Sequence, residues 1–211
     1  MTKKFLMNAV FILLFISLLS SCERSESNVN NLKVVFNIVQ PSAGIYAVVE
    51  KNVPESKTAN QYFEKNTYVN GKLIKIERFG KSGKLTDSLF IPAITTFKYD
   101  SQNRVEYLRY YDKTRKVASH PKFNYSTVQY IYDEQGRVIL EIYRDKNNRL
   151  LTVPKDLDGK LLDNSFLPPV LAYVYTGGKT ITKAFDKNFT FLKETTGKKP
   201  CIPFIDCGNN N

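Results

Sequence analysis

Short runs of β-branched and aromatic residues, separated by turn chemistry, fill most of this chain. In Tyr130–Arg149, Tyr130-Ile-Tyr leads into Asp133-Glu-Gln-Gly136, and Val138–Tyr143 leads into Asp145-Lys-Asn-Asn. Asp can hydrogen-bond its own backbone and Gly takes positive φ without steric cost, so this reads strand, turn, strand, turn. Val138–Tyr143 suits a pleated surface. The same reading gives strands over Leu32–Val39 and Gly44–Glu50, turning at Gln40–Gly44. Asn70-Gly71 is a two-residue hairpin signal. Pro92, Pro168 and Pro169 mark strand starts or edges. Only Glu55–Phe63 reads as a short helix.

The pattern repeats. With Tyr68, Tyr99, Tyr132 and Tyr175 as anchors, the intervals are 31, 33 and 43 residues. Each anchor precedes a turn, a strand and a second turn. A second feature precedes three anchors: Phe90, Phe123 and Phe166 each lie nine residues ahead of the anchor tyrosine, Tyr99, Tyr132 or Tyr175. The extra length of the third unit falls in Val153–Leu162, an added hairpin or loop. Internal periodicity of this kind outranks other fold arguments. Strands of about five or six residues at this spacing predict an all-β antiparallel repeat meander, a twisted, open or partly curved sheet. The repeat domain spans residues 32–195.

Tyr132-Asp-Glu-Gln-Gly-Arg-Val138, with Tyr99-Asp-Ser-Gln-Asn-Arg-Val105 as a near match, resembles the YD repeat of Rhs-type bacterial surface proteins. Asn70-Gly-Lys and Gly83-Lys-Leu in the first unit are similar to MORN-variant repeats of secreted bacterial proteins. The resemblance covers about residues 66–195 and implies repeat architecture more than a function. In Rhs proteins many such repeats coil into a shell around a toxin; four units, the last with Thr176 in place of Asp, imply an open sheet instead. By analogy it also suggests an immunity-type or inhibitory role.

The N-terminus has a different character. Lys3 and Lys4 precede an apolar run, Ala9–Leu19, short for a stable membrane span, so residues 1–21 read as a signal peptide. Its end, Leu19-Ser-Ser-Cys22, resembles the lipobox of bacterial lipoproteins. The resemblance implies cleavage before Cys22, lipidation of its thiol and anchoring by two or three acyl chains. Glu23 rather than Asp after the cysteine implies release to the outer membrane. Residues 22–31 then form a flexible tether. Its Glu23–Asn28 run resembles the acidic, serine-rich tethers of surface-exported lipoproteins, or is an ordinary polar linker.

Removal of the leader would leave 190 of the 211 residues and a formal charge near +9 instead of +11, enough chain for one domain with a real core. A basic excess favours anionic partners, but Lys72, Lys75, Arg104 and Lys122 are scattered, and no nucleic-acid module is recognisable. Cys201 and Cys207 remain in the tail, residues 196–211. An oxidising setting favours a disulfide closing this loop. The alternative, a metal pair, lacks further ligands, because His120 is the sole histidine.

Candidate chemistry is sparse. His120, before Pro121, reads as a solvent-exposed loop residue with no nominated acid–base partner. Asp100, Asp112, Asp133, Asp145 and Asp186 recur where turn geometry explains them. Asp156-Leu-Asp-Gly159 is the nearest approach to a calcium loop and reads as a plain turn. No nucleophile, phosphate-binding or dinucleotide motif occurs, so the expectation is a non-enzymatic protein without cofactors. The 14 Phe and 13 Tyr carry the open question. Tyr99, Tyr132 and Tyr175 could face a glycan or peptide ligand, or pack as core. The function expected is a lipid-anchored envelope scaffold that binds a protein partner; a glycan- or peptide-binding surface lipoprotein is the alternative.

Overall fold

The computed structural model describes residues 31–42, 45–88, 91–153, 167–197 and 199–205. The leader, Cys22, most of the tether, Phe90, Phe166, most of the Val153–Leu162 insertion and Cys207 therefore lie outside the described residues. Among the described residues eleven strands make one antiparallel sheet that does not close. They are β1 (Leu32–Ser42), β2 (Ile45–Val53), β3 (Phe63–Val69), β4 (Lys72–Phe79), β5 (Ile94–Tyr99), β6 (Val105–Tyr111), β7 (Thr127–Tyr132), β8 (Val138–Arg144), β9 (Val170–Thr176), β10 (Lys179–Phe185) and β11 (Phe191–Gly197). The sheet order is β11-β10-β9-β8-β7-β6-β5-β4-β3-β1-β2.

From β3 onward the expected meander is realised strand by strand. At the other end the order departs from it: β1 pairs with both β2 and β3, which puts β2 on the edge. The expected helix over Glu55–Phe63 is a single 3₁₀ turn, Glu55–Thr58. Asn60 then takes φ of 59°, outside helical space, and Phe63 already opens β3. Among the described residues no helix is long and apolar enough to cross a membrane.

Among the described residues six turns share one geometry. Asp100, Asp112, Asp133, Asp145 and Asp186 each open one, and Gly80 opens the sixth. In each, the first N–H donates to the carbonyl four residues on, and the residue three positions on has positive φ. The Asp side chain accepts backbone N–H bonds within its own turn, as from Gln102 and Arg104 to Asp100 Oδ1, both at 2.9 Å. This is the three-residue hairpin geometry in which a type I turn ends on a left-handed residue. The aspartates are thus structural, as their turn positions suggested.

The sheet has two unlike faces. On the inner face Phe97, Leu108, Val128, Tyr130, Tyr143 and Tyr173 join Tyr125 and Leu151 from loops and Ile202 from the tail in one core. Ile202 is only 5 % exposed and Phe204 packs edge-on to Phe97, so the tail completes the domain. A smaller cluster, Phe36, Ile38, Val53, Phe63 and Phe79, joins β1–β4.

Candidate functional site

The repeat tyrosines form a series of ties between neighbouring units. Each hydroxyl donates to a backbone carbonyl one unit back: Tyr99 to Leu73 at 2.9 Å, Tyr132 to Val105 at 2.7 Å, Tyr175 to Val138 at 2.7 Å. A cation lies over each ring. Lys72 Nζ is 5.6 Å from the Tyr99 centroid, and the guanidinium carbons of Arg104 and Arg137 are 4.4 and 4.5 Å from those of Tyr132 and Tyr175. Arg104 and Arg137 are in turn held by Asp100 and Asp133 through Nε bonds of 2.8 and 2.7 Å. Burial works against ionisation of Asp100, but bonds from the Arg104 backbone and side chain and from Gln102 hold its carboxyl below the usual range. Burial also raises the Tyr99 and Tyr175 hydroxyls.

Every fixed residue of Tyr-Asp-x-x-x-Arg-Val therefore has a mechanical task. Asp shapes the turn and aims Arg, Arg covers the next unit's ring, and Val offers its carbonyl to that ring's hydroxyl. Tyr99, Tyr132 and Tyr175 are half-buried and pack against the inner core. This geometry favours the packing side of the alternative open in the sequence.

A row of buried polar groups runs beneath the same face. Arg78 is fully buried, with Nε 3.0 Å from Glu64 and Nη1 3.0 Å from both the Pro92 carbonyl and Thr95 Oγ1. Its guanidinium lies 5.1 Å from the Phe204 ring centroid. In the next two units Tyr110 and Tyr143 take its place, as shown by equivalent bonds from the N–H groups of Arg78, Tyr110 and Tyr143 to Ala93, Ser126 and Pro169. Buried Glu141 accepts from the Tyr143 hydroxyl and is bonded to Tyr173. Burial pushes the Tyr130, Tyr143 and Tyr173 hydroxyls far above the usual phenol range, and the Glu141 charge adds to it. Sequence reasoning missed Arg78, Glu64 and Glu141; their only signal is a charge at an inward position of an alternating strand. Among the described residues no group of three His, Cys, Asp or Glu could hold a metal ion.

His120 differs from its expectation. It is half-buried, stacked at 5.0 Å and 14° on Tyr125 and packed against Phe123 and Tyr110. The loop folds back because Asn124, in left-handed conformation, donates its N–H to the His120 carbonyl. Burial lowers the imidazole pKa, with the Lys122 charge acting the same way. Its Nδ1 accepts from the Lys122 N–H at 3.2 Å.

The outer face over β5 and β6 is of another kind. Thr96, Lys98, Tyr107, Arg109 and Tyr111 line a groove of about 300 Å³. Lys98 Nζ sits 5.3 Å from the Tyr107 centroid and 2.8 Å from Glu106, whose hydrogen bond raises the lysine pKa. Arg109 Nε donates to Thr127 Oγ1 at 3.0 Å. Tyr107, Arg109 and Tyr111 are half-exposed, with Tyr107 beside the Lys98 ammonium and Arg109 tied to Thr127.

No protein-family profile, no characterised protein and no solved structure matches the chain. Its function is argued from its own geometry. Cys201 is exposed beside buried Ile202, and Cys207 lies outside the described residues.

Proposed function

We propose that this chain is a lipid-anchored envelope protein of non-enzymatic type, whose repeat sheet is a rigid scaffold for a protein partner. The observation that carries the reading is the outer groove. It sets Tyr107, Arg109 and Tyr111 half-exposed on a sheet whose inner face is already committed to core. Tyr and Arg held rigidly at a surface supply large contact area at low entropic cost, the composition of interface hot spots. Anchoring rests on the Leu19–Cys22 sequence, and outer-membrane placement on Glu23. The pairing of Cys201 with Cys207 belongs to the same proposal, since an envelope protein folds in an oxidising compartment.

Two variants test the two halves. Cys22→Ala is expected to move the protein from membrane to soluble fractions; a variant still in membranes contradicts the anchor. Tyr107→Ala with Arg109→Ala is expected to abolish partner capture while leaving the melting temperature within a few degrees. Capture unchanged by both substitutions contradicts the groove. If a panel of envelope glycans binds the groove while no protein does, the glycan reading replaces the scaffold reading.

A further inference from the structure

The repeat gathers basic residues that the sequence scatters. β4, β6, β8 and β10 run the same way, because one antiparallel strand separates each from the next. Their turns, at residues 80–84, 112–116, 145–149 and 186–190, therefore lie at one end of the sheet. Alternate strands are about 9–10 Å apart, so the turns form a row at that spacing. They hold eight Lys and Arg, all exposed, against three Asp. Each Asp carboxylate accepts backbone N–H groups of its own turn. Among the described residues only Arg115 of the eight cations forms an ion pair, 3.3 Å from Glu77. At the opposite end of the sheet the turn arginines are neutralised, since Asp100 and Asp133 tie Arg104 and Arg137.

The last turn of the row adds an apolar tip. Phe189 is 64 % exposed, and Phe191, which opens the edge strand β11, is 54 % exposed. The Phe185 ring braces Phe191 edge-on at 6.1 Å. Phe189 holds φ of 61° at the position that Gly83 and Asn148 fill in the first and third turns. An exposed ring in a strained conformation finds no compensation in the core, and strain of this kind marks functional positions. Lys187 stands in the same turn as Phe189, and Lys146 and Arg149 stand in the neighbouring turn of the row.

We propose that this corner of the sheet docks on an anionic lipid surface. Phe189 and Phe191 enter the boundary between head groups and acyl chains, and Lys146, Arg149 and Lys187 meet the lipid phosphates. Exposed apolar rings beside Lys and Arg are the composition of interfacial membrane contacts. A purely polar polyanion would match the cations and leave both rings in water. The site is separate from the outer groove and depends neither on it nor on lipidation of Cys22.

The chain has no tryptophan, so a single introduced indole reports on one place. The test uses the full chain carrying Phe189→Trp, mixed with vesicles of phosphatidylcholine alone or with one-third phosphatidylglycerol and separated by flotation. With phosphatidylglycerol the indole emission is expected to move to the blue and to be quenched by brominated acyl chains; with phosphatidylcholine alone it is expected to stay at its value in water. High salt is expected to reverse the shift. Val174→Trp, at an exposed position on β9, is the control and is expected to show neither change. Adding K146Q, R149Q and K187Q to the reporter chain weakens docking about a hundredfold, at roughly fivefold per cation. That variant is expected to lose the shift at an unchanged melting temperature. Equal emission in the two vesicles, an equal shift from position 174, or a shift that survives the triple change would overturn the proposal. Flotation separates it from the anchor: a chain that floats with both vesicles without a shift keeps the anchor and loses the docking corner, and a chain that floats with neither loses both.

Discussion

The hydroxyl of Tyr132 donates to the carbonyl of Val105 at 2.7 Å, across 27 residues of sequence. That bond joins the third repeat to the second, beneath the guanidinium of Arg104. Removing the hydroxyl alone leaves a half-buried carbonyl without this donor, which costs about 1 kcal/mol. Tyr132→Phe is therefore expected to lower the melting temperature by about 2–4 °C. The triple change at Tyr99, Tyr132 and Tyr175 is expected to lower it about three times as far, because separated ties add. Thermal denaturation followed by circular dichroism decides it; a triple variant as stable as the parent means the ties are incidental.

Arg78 and Glu64 form a buried ion pair, and truncating one member strands the other's charge. Arg78→Ala is expected to cost about 3–5 kcal/mol. Replacing the pair by Met and Leu removes both charges and is expected to recover most of the loss. Urea unfolding of the single and double variants measures the difference, and a double variant no better than the single one would contradict it.

Phe189 stands at the left-handed position of the Asp186 turn, with φ of 61° and a side chain 64 % exposed. A β-carbon in that conformation costs about 1–2 kcal/mol, partly offset by the flexibility glycine adds to the unfolded chain. Phe189→Gly is therefore expected to stabilise the protein by roughly 0.5–1 kcal/mol. A lower melting temperature for the variant would show that the phenyl ring contributes more than the strain removes.

His120 links stability to pH. Its folded pKa lies below the ordinary value of 6.5, so the folded state binds the proton less readily than the unfolded chain. The contribution is present above pH 6.5 and is lost as pH falls through the lower folded value. Melting temperatures between pH 7.5 and about 5 are expected to drop less steeply in His120→Gln than in the parent. Parallel slopes for the two proteins would remove His120 as the source.

What the sequence made legible follows from range. The Asp turns and alternating strands are local, so the meander from β3 to β11 could be read from spacing alone. The β1–β3 pairing joins Leu32 to Val69 and Ile38 to Phe63, and no local pattern announces it. Ile202 sits between a cysteine and a proline without periodicity, which hid its place in the core. Arg78 closes Ile-Lys-Ile-Glu-Arg and reads as the polar end of a strand, because only the fold brings Glu64 and Thr95 to it. The anchor tyrosines were visible as candidates. Their acceptors, one unit back, were not.

The central claim is that the outer groove meets a protein partner at the membrane. A photo-reactive amino acid placed at position 107 in cells tests it most directly, with position 146, on an exposed turn, as the control. The account predicts one discrete protein adduct from position 107 and none from position 146. No adduct at 107, or the same adducts from both positions, would contradict it.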